Sequence, residues 1–462
     1  MKIEPTLLEK YNVNGPRYTS YPTALQFNDQ FGPREYLWHI ERSNQDPVPK
    51  PLSLYIHIPF CKSLCYYCGC HKFITQSQHK VVAYLDALHR EIEMQSVLFD
   101  PDREVKQLHF GGGTPTYLSV DELAQLYNHL KQHFTLVAAP YCDTSIEIDP
   151  RTMTLEGISA LAEIGFNRMS FGIQDFDRQV QLAINRIQDK AHTLSLLHAA
   201  RAAGVASISV DLIYGLPKQT LAGFSDTLTA IIEAKPDRVA LYNYAHRPQS
   251  IKSQRLIPTS SIPGINEKLR LLNLAIQKLT DAGYCYIGMD HFALPTDTLS
   301  QSLDTGFLHR NFQGYSTHGD CDIAGFGVSA ISHINDSFSQ NSKSLQDYQA
   351  CIQHQQLAVK RGYALSADDK IRAAVIQHIM CHRVIDFKAL GDLYRIVFKQ
   401  YFHRELIALR EMVDDGVVIL NEGNLYITDN GSLLRRNIAM IFDAYLPLNS
   451  PEDNLTNFSK VL

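Results

Sequence analysis

The sequence predicts an α/β protein whose core is a partial (βα)6 barrel of the TIM type, with an N-terminal arm before it and a mainly helical domain after it. Two observations predict this fold. From about residue 52, short β-rich runs alternate with amphipathic helical patterns through six rounds, as in parallel βα units. Right-handed crossovers bring the carboxyl ends of such strands to one face, and all six predicted ends carry glycine, cysteine or polar residues.

The predicted barrel elements follow one another along the chain, assigned by their hydrophobic periodicity and composition. The strands are expected at residues 52–59, 105–110, 144–148, 168–173, 208–214 and 238–243. The helices between them are expected at residues 81–96, 120–134, 155–164, 192–203 and 222–234. Each helix returns the chain to the start of the next parallel strand.

The length of 462 residues favours more than one structural part. We expect an N-terminal arm over residues 1–50 that covers the active site, a catalytic domain over 51–360 and a C-terminal domain over 361–462. A proline-rich stretch at 45–51 is expected to be a linker. A glycine-rich, aromatic region after residue 300 is expected to form loops and short strands that close one side of the barrel. The C-terminal helices are predicted at 367–380 and 406–414, with a winged-helix-like hairpin at 417–420 and 425–428.

Composition narrows the class of protein. The net charge of -5 does not favour a nucleic-acid or membrane-surface partner, and no run of 18 apolar residues predicts a membrane span. The first thirty residues carry charges with no apolar core between them, which argues against a secretory signal. We therefore expect a cytoplasmic protein with reduced thiols.

Cys61, Cys65 and Cys68 are spaced C-x3-C-x2-C directly after the first predicted strand, and Cys70 follows two residues later. Three thiolates on one loop can bind three irons of a [4Fe-4S] cluster and leave the fourth iron open to another ligand. A zinc site that uses Cys70 or His71 is the alternative, although no second C-x2-C pair follows. Disulfides are less expected, because four of the nine cysteines lie in one ten-residue loop.

This cysteine spacing and the GGGTP segment after the second predicted strand resemble the radical S-adenosylmethionine enzymes. Four segments taken in order resemble, more narrowly, the oxygen-independent coproporphyrinogen III oxidase family: RYTSYPTA at 17–24, CKSLCYYCGC at 61–70, DLIYGLPKQ at 211–219 and HRNFQGY at 309–315. The resemblance covers essentially the whole chain. It implies the radical SAM kind of partial barrel, a [4Fe-4S] cluster and two molecules of S-adenosylmethionine.

The resemblance also implies roles for individual residues. Cys61, Cys65 and Cys68 are the implied cluster ligands and Cys70 is not one; the cysteines and Glu147 are the implied catalytic residues. The first S-adenosylmethionine is expected to contact Tyr55, Gly112, Glu147 and Ile331, with Tyr67 covering the cluster and the adenine. The second is expected to contact Gly113, Thr114, Gln174, Arg186, Asp211, Ala245, Phe312 and Gln313. A guanidinium fork suits a carboxylate, and carboxylates suit ammonium or hydroxyl groups.

The implied substrate is coproporphyrinogen III, of which two propionates become vinyl groups with loss of CO2. An electron donor such as flavodoxin or ferredoxin and an unknown electron acceptor are implied, and a monomer is expected. A net acidic protein needs a local basic lining to bind a tetra-anion. The candidates for that lining are Arg17, His246, Arg247, Lys252, His309 and Arg310.

Two alternative functions remain open at this point. A haem chaperone of the same superfamily would bind and transfer haem without decarboxylation, but such relatives generally lack the arm and the Cys-Gly-Cys ending. A purely structural iron-sulfur or zinc protein leaves the GGGTP segment, Glu147 and Asp211 unexplained.

Overall fold

The computed structural model describes residues 5–138, 141–303, 305–446, 458 and 460. Its core is a row of six parallel strands, in which each strand pairs with the next along the chain. We label them β1 (Leu52–Ile58), β2 (Glu104–Gly112), β3 (Asp143–Ile148), β4 (Arg168–Gln174), β5 (Ser207–Tyr214) and β6 (Arg238–Asn243). The predicted partial (βα)6 barrel is confirmed.

The barrel helices lie between these strands and begin at polar caps. The first to fifth barrel helices are Gln78–Ser96, Val120–His133, Leu155–Ile164, Lys190–Ala202 and Leu221–Ala234, and a short helix, Arg178–Ala183, precedes the fourth. Ser119, Thr154, Asp189 and Thr220 accept hydrogen bonds from the first-turn amides of the second to fifth helices. All the predicted barrel elements are present, with ends within three residues of the predictions.

Further strands lengthen the sheet at both edges. Beyond β1 lie Asp322–Phe326, parallel to β1, and then the antiparallel strands Ile331–Ile334, Ser337–Asn341 and Val359–Ala364. Beyond β6 lie His291–Ala293 and Cys285–Gly288, both antiparallel. The region after residue 300 therefore extends the sheet beyond β1 and does not join it to β6. A separate hairpin is formed by His309–Asn311 and Gly314–Ser316.

The N-terminal segment packs along two parts of the molecule. Its first helix is Pro5–Lys10, and Tyr11, Tyr18 and Tyr21 are buried in a hydrophobic cluster made mainly by the C-terminal region. Its second helix, Pro33–Asn44, packs on the added strands. The arm is therefore a packed part of the fold.

The C-terminal region is mainly helical, as predicted, with a three-stranded sheet of Val384–Asp386, Asn424–Ile427 and Val418–Leu420. Its helices are Ala367–Cys381, Phe387–Tyr394, Phe398–Tyr401, His403–Ala408, Arg410–Asp414, Asp429–Leu433 and Arg435–Ile441. The helix predicted at 406–414 is interrupted at Leu409 and forms two short helices. The remaining helices are Ile265–Asp281, Thr298–Gln301 and Leu345–Gln353. Among the described residues, no helix has the length and apolar character needed to cross a membrane.

Candidate active site

The cysteine loop lies at the carboxyl end of β1, where a two-residue strand, Phe60–Cys61, pairs in parallel with Phe73–Ile74. Cys61, Cys65 and Cys68 line one cavity of about 310 Å³. All three thiols are free. The residues between the two short strands thus form a loop that directs three sulfur atoms towards one space.

The spread of these sulfur atoms distinguishes between the two kinds of metal site. Two groups of side chains in the described parts of the chain have three ligand atoms within 4.8 Å of one another, and neither contains Cys61, Cys65 or Cys68. One zinc ion would hold its thiolates roughly 3.8 Å apart. A cluster separates its ligands by its own width, so three sulfur atoms that do not all lie within 4.8 Å of one another are compatible with an iron-sulfur cluster. Of the two alternative zinc ligands, Cys70 lines the same cavity and His71 lies outside its lining.

Each of the three cysteines has a distinct polar environment. The Thr114 hydroxyl is 3.3 Å from Cys61 Sγ, and burial raises the pKa of Cys61 to about 11. Cys65 Sγ lies 3.5 Å from Arg151 Nη2 and 3.7 Å from Arg186 Nη1. A hydrogen bond with Cys70 lowers the pKa of Cys68 to about 6. Because donors to a ligating sulfur stabilise its negative charge, the contacts of Cys65 and Cys68 suit thiolate ligands.

A buried ion triad forms the wall beside Cys65. The Asp149 carboxylate accepts hydrogen bonds from Arg151 Nη2 at 2.6 Å and from Arg186 Nη1 at 3.1 Å, and Arg186 Nη2 donates to the Gly172 carbonyl at 2.5 Å. Although burial opposes it, the charges of Arg186 and Arg151 lower the pKa of Asp149 to about 2. The guanidinium fork of Arg186 is thus already paired by the protein, and only its buried Nε lacks a partner among the described residues.

Glu147 and Asp211 form the acidic wall of the same cavity. The Gly112 amide donates to Glu147 Oε2 at 3.2 Å, and His109 Nε2 lies 3.5 Å from Glu147 Oε1. The Ser170 hydroxyl donates to Asp211 at 3.4 Å. Burial, and then the charge of Glu147, raise the pKa of Asp211 to about 7. No arginine or lysine pairs with either carboxylate in the described structure, so this wall suits a cationic or hydroxyl-bearing ligand.

The glycine run at the end of β2 lines the cavity with Gly112 and Gly113 and is also required by protein packing. Gly112 has a φ of 119°, and a Cβ there would lie 2.7 Å from the His57 ring. A Cβ on Gly113 would lie 2.7 Å from the Pro59 backbone. Glycine is therefore required here for two reasons: a ligand is expected to approach the backbone closely, and a side chain would collide with β1 or with the residue that follows it.

The cavity brings together most of the residues that the resemblance implied. Its lining includes the three cysteines with Tyr67, Gly112, Gly113, Thr114, Glu147, Gln174, Arg186 and Asp211. It also includes residues that the sequence interpretation did not single out, namely Ser63, Lys72, Arg151, Ser170 and Tyr242. Arg151 could have been suspected from its position two residues after the strand-end Asp149.

Five predicted contacts lie outside this lining. The Tyr55 hydroxyl is 3.0 Å from His57 Nδ1. The Ala245 carbonyl accepts from Gln254 Nε2, which also donates to the Tyr67 carbonyl. The other three are Phe312, packed edge-on against Phe338; Ile331, paired with Gln340 in the added strands; and Gln313, in a second cavity.

The second cavity, of about 150 Å³, lies inside the barrel and shares Glu147, Ser170, Asp211 and Tyr242 with the first. Its lining is unusually polar for the interior of a small barrel. Both amide atoms of Gln313 are buried there with no hydrogen-bond partner among the described residues. A buried amide in this state indicates a site that accepts a polar ligand or water.

Next to this cavity, three arginines from distant segments surround one carboxylate. Arg17 of the arm pairs with Asp290 and lies over the Tyr242 ring, with its Cζ 5.4 Å from the ring centroid. The charges of Arg17, Arg310 and Arg436 lower the pKa of Asp290, against the effect of burial. Arg310 is only 7% exposed, and its Nη1 has no partner among the described residues. Arg310 thus holds a buried guanidinium donor at this place that no described residue uses.

The other basic candidates lie elsewhere. His246, Arg247 and Lys252 follow β6 on a partly exposed segment, where His246 Nδ1 is 2.9 Å from the Tyr244 hydroxyl. His309 Nδ1 is 3.2 Å from the side-chain amide of Gln377, whose oxygen accepts its hydrogen bond. Of the six candidates, the structure brings together Arg17 and Arg310, and it adds Arg436, which the sequence interpretation missed.

Comparison with known proteins identifies this kind of site. Residues 55–231 match the model of the Radical SAM superfamily. That span contains the three cysteines, both walls of the larger cavity and most of the barrel. The fold and the site therefore define a radical SAM protein.

The chain belongs, more narrowly, to the oxygen-independent coproporphyrinogen III oxidases. It is 45% identical to the oxygen-independent coproporphyrinogen III oxidase of Pseudomonas aeruginosa over 462 residues, which cover 100% of this chain and 99% of that protein. It is also 45% identical to that of Escherichia coli over 456 residues, covering 99% and 98%. The solved structure of the Escherichia coli enzyme superposes with a TM-score of 0.92 at 44% identity, covering 96% of this chain and 100% of that one. The haem-chaperone alternative is not favoured.

Proposed function

We propose that the protein converts two propionates of coproporphyrinogen III to vinyl groups without oxygen, giving protoporphyrinogen IX. The observation that carries this proposal is the meeting of Cys61, Cys65 and Cys68 with an acidic wall at the carboxyl ends of the barrel strands, in a chain of this family. A purely structural metal site would not need the acidic wall.

Cys61, Cys65 and Cys68 hold a [4Fe-4S] cluster in this proposal, and Cys70 does not. When bound, the cluster and S-adenosylmethionine supply a 5'-deoxyadenosyl radical, which is able to abstract hydrogen from an unactivated C-H bond. Arg151 and Arg186 donate to Cys65 and stabilise its thiolate. Tyr67 lies in the cavity lining between the cysteines and covers what binds there.

The acidic wall binds the cationic and hydroxyl groups of S-adenosylmethionine. Glu147, positioned by the Gly112 amide, accepts from the ammonium of the first molecule, which Tyr55 and Ile331 also contact. Asp211 and the buried amide of Gln313 bind a second molecule. The other proposed contacts of the second molecule are Gly113, Thr114, Gln174, Arg186, Ala245 and Phe312.

The propionates of the substrate bind at Arg310 and Arg17 in this proposal, because Arg310 Nη1 is buried and has no partner among the described residues. Arg310 and Arg17 lie side by side, with Arg310 Nε 3.4 Å from the Arg17 carbonyl. A guanidinium fork binds a carboxylate through two parallel hydrogen bonds. Because Arg17 belongs to the arm, the arm both binds substrate and shields the cavity from water in this proposal.

The remaining features of the proposal concern partners and organisation. A flavodoxin or ferredoxin supplies electrons, and an acceptor of unknown identity removes one electron for each propionate. The protein acts as a cytoplasmic monomer with an arm (1–50), a catalytic domain (51–360) and a C-terminal domain (361–462). The final strand of the sheet, Val359–Ala364, crosses the boundary between the last two parts.

The test is anaerobic incubation of the cluster-loaded protein with S-adenosylmethionine, dithionite and coproporphyrinogen III. We expect 5'-deoxyadenosine together with a porphyrinogen that has lost two carboxyl groups, both measured by mass spectrometry. Tight haem binding without decarboxylation would instead indicate the chaperone. Decarboxylation by a Cys61→Ala variant would contradict the cluster assignment.

A further inference from the structure

The first and second barrel helices each carry two metal-ligating side chains one helical turn apart. His89 and Glu93 lie on the first helix, and His129 and His133 lie on the second. Residues four apart project from the same face of a helix, and the two helices pack against each other. We propose that these side chains form a site for one divalent transition-metal ion such as Zn²⁺, separate from the cysteine cavity.

The distances between the donor atoms suit such an ion. One ligand atom from each of Glu93, His129 and His133 lies within 4.8 Å of the other two. His129 Nε2 is 3.7 Å from Glu93 Oε1, and the His129 and His133 ring centroids are 4.5 Å apart. Ligands around tetrahedral zinc lie roughly 3.4 Å from one another. Small side-chain rotations therefore bring the three donors to coordination distance.

His89 is the fourth candidate ligand. Its ring centroid is 4.6 Å from that of His129, and its buried Nε2 has no hydrogen-bond partner among the described residues. His129 Nε2 lies 3.1 Å from the His89 carbonyl oxygen in the metal-free form, a contact that coordination would replace.

The backbone electrostatics of the site also favour a cation. His133 is the last residue of the second helix, and Glu93 lies in the last turn of the first. The carboxyl ends of helices carry partial negative charge. These ends lie at the face of the barrel opposite the cysteine loop, where barrel residues serve stability and not catalysis. A bound ion would thus cross-link the first and second barrel helices, which follow β1 and β2.

The donor set indicates the class of metal. Imidazole nitrogens with a carboxylate favour zinc, copper, nickel or cobalt, whereas magnesium and calcium prefer oxygen donors. Zinc is the probe of choice because it is not redox-active and would not disturb the iron-sulfur cluster by electron transfer.

The test uses cluster-loaded protein under anaerobic conditions, so that the cysteine loop is occupied by iron. Zinc binding is measured by equilibrium dialysis against ZnCl2, with zinc and iron counted by mass spectrometry, and the unfolding temperature is recorded with and without zinc. The variants are His133→Gln and Glu93→Gln. The matched control is His79→Gln, an exposed histidine on the first helix.

We expect one zinc per chain in the wild type and in His79→Gln, with a higher unfolding temperature when zinc is present. His133→Gln should bind zinc at least about 100-fold more weakly, since loss of even an outer-shell partner weakens metal affinity about 10- to 100-fold. Glu93→Gln, an exposed change that leaves the fold intact, should weaken binding in the same direction.

Unchanged zinc affinity in both variants would overturn the proposal. It would place the ion elsewhere, for example at His318, Asp320 and Cys321, which form the other described group with metal-ligand spacing. Zinc binding in the wild type that is no tighter than nonspecific surface binding, with no rise in unfolding temperature, would also overturn it. If His133→Gln loses helical circular dichroism, Glu93→Gln decides the question.

Discussion

Two carboxylates that line the cysteine cavity have opposite electrostatic surroundings. Asp149 is paired with two arginines, which lower its pKa to about 2 despite burial, whereas burial and Glu147 raise the pKa of Asp211 to about 7. The difference teaches that the protein itself neutralises Asp149 beside Cys65, whereas it leaves Asp211 without a basic partner among the described residues, so that a ligand can pair with it. Predictions can test each side of this comparison.

The largest effect is expected at the cysteines. Arg151 and Arg186 are positioned by Asp149 to contact Cys65 Sγ, which serves a function only if Cys65 is a cluster ligand. Cys65→Ala should lower bound iron from about four per chain to nearly none and abolish cleavage of S-adenosylmethionine. Iron and sulfide analysis after anaerobic reconstitution measures this. Cys70→Ala is the matched control in the same loop and should keep its iron; loss of iron in Cys70→Ala alone would make Cys70 the ligand.

The next largest effect is expected at Asp149. Asp149→Asn leaves two buried guanidinium groups without their counter-ion, which should lower the free energy of unfolding by about 3 to 5 kcal/mol. Urea unfolding at pH 7 measures the change. Asp226→Asn, an exposed aspartate on the fifth barrel helix, should change it by less than about 0.5 kcal/mol. Equal effects of the two substitutions would show that the triad does not stabilise the wall.

At Asp211, substitution is expected to raise the free energy of unfolding, whereas Asp149→Asn lowers it. Because its folded-state pKa of about 7 lies above the ordinary value of 3.8, the folded protein is favoured while Asp211 is protonated and loses stability as the pH rises from about 4 through 7. Asp211→Asn removes this loss. It should therefore raise the free energy of unfolding at pH 8 by about 1 to 4 kcal/mol and have little effect at pH 4.

Urea unfolding of the ligand-free protein across this pH range measures the difference between wild type and Asp211→Asn. The same variant should bind S-adenosylmethionine more weakly, since the neutral amide attracts cationic groups less. A stability difference that does not depend on pH would contradict the assigned titration of Asp211.

The contrast between the walls also explains what the sequence could and could not predict. The meeting of Glu147 and Asp211 was predictable because parallel strands bring their carboxyl ends to one face whatever the side-chain details, although Asp211 lies three residues before the end of β5. The pairing of Arg186 with Asp149 was not, since it joins residues 37 apart whose side chains meet only after folding. Arg186 was accordingly predicted as a carboxylate clamp for a ligand, and the structure shows its fork paired with the protein.

The arm gives a second example. From the sequence, Arg17 and Arg310 were predicted only as two of six basic candidates, because the charge of a residue does not show whether it is buried. Their meeting with Arg436 depends on packing of the arm against the C-terminal region, through Tyr11, Tyr18 and Tyr21. The helix predicted at 406–414 is likewise divided at Leu409, and its first part begins at His403, which periodicity does not reveal.

The smallest effect is expected at Arg151, which contacts both the Asp149 carboxylate and the proposed cluster ligand Cys65. Its Nη2 lies 3.5 Å from Cys65 Sγ, and Asp149 holds its guanidinium in place through three hydrogen bonds to the side chain. A positive donor at a ligating sulfur stabilises the more negative, reduced state of a cluster. Arg151→Gln should therefore make the reduction potential more negative by tens of millivolts, about 1 kcal/mol for a one-electron step.

Redox titration followed by electron paramagnetic resonance, without S-adenosylmethionine, measures this potential directly and separates it from effects on binding. Arg178→Gln, an exposed arginine that does not line the cavity, is the matched control and should leave the potential unchanged. Arg151→Lys, which keeps the charge but not the fork, should fall between wild type and Arg151→Gln. If all three variants reduce at the same potential, the wall beside Cys65 positions the loop without tuning its cluster.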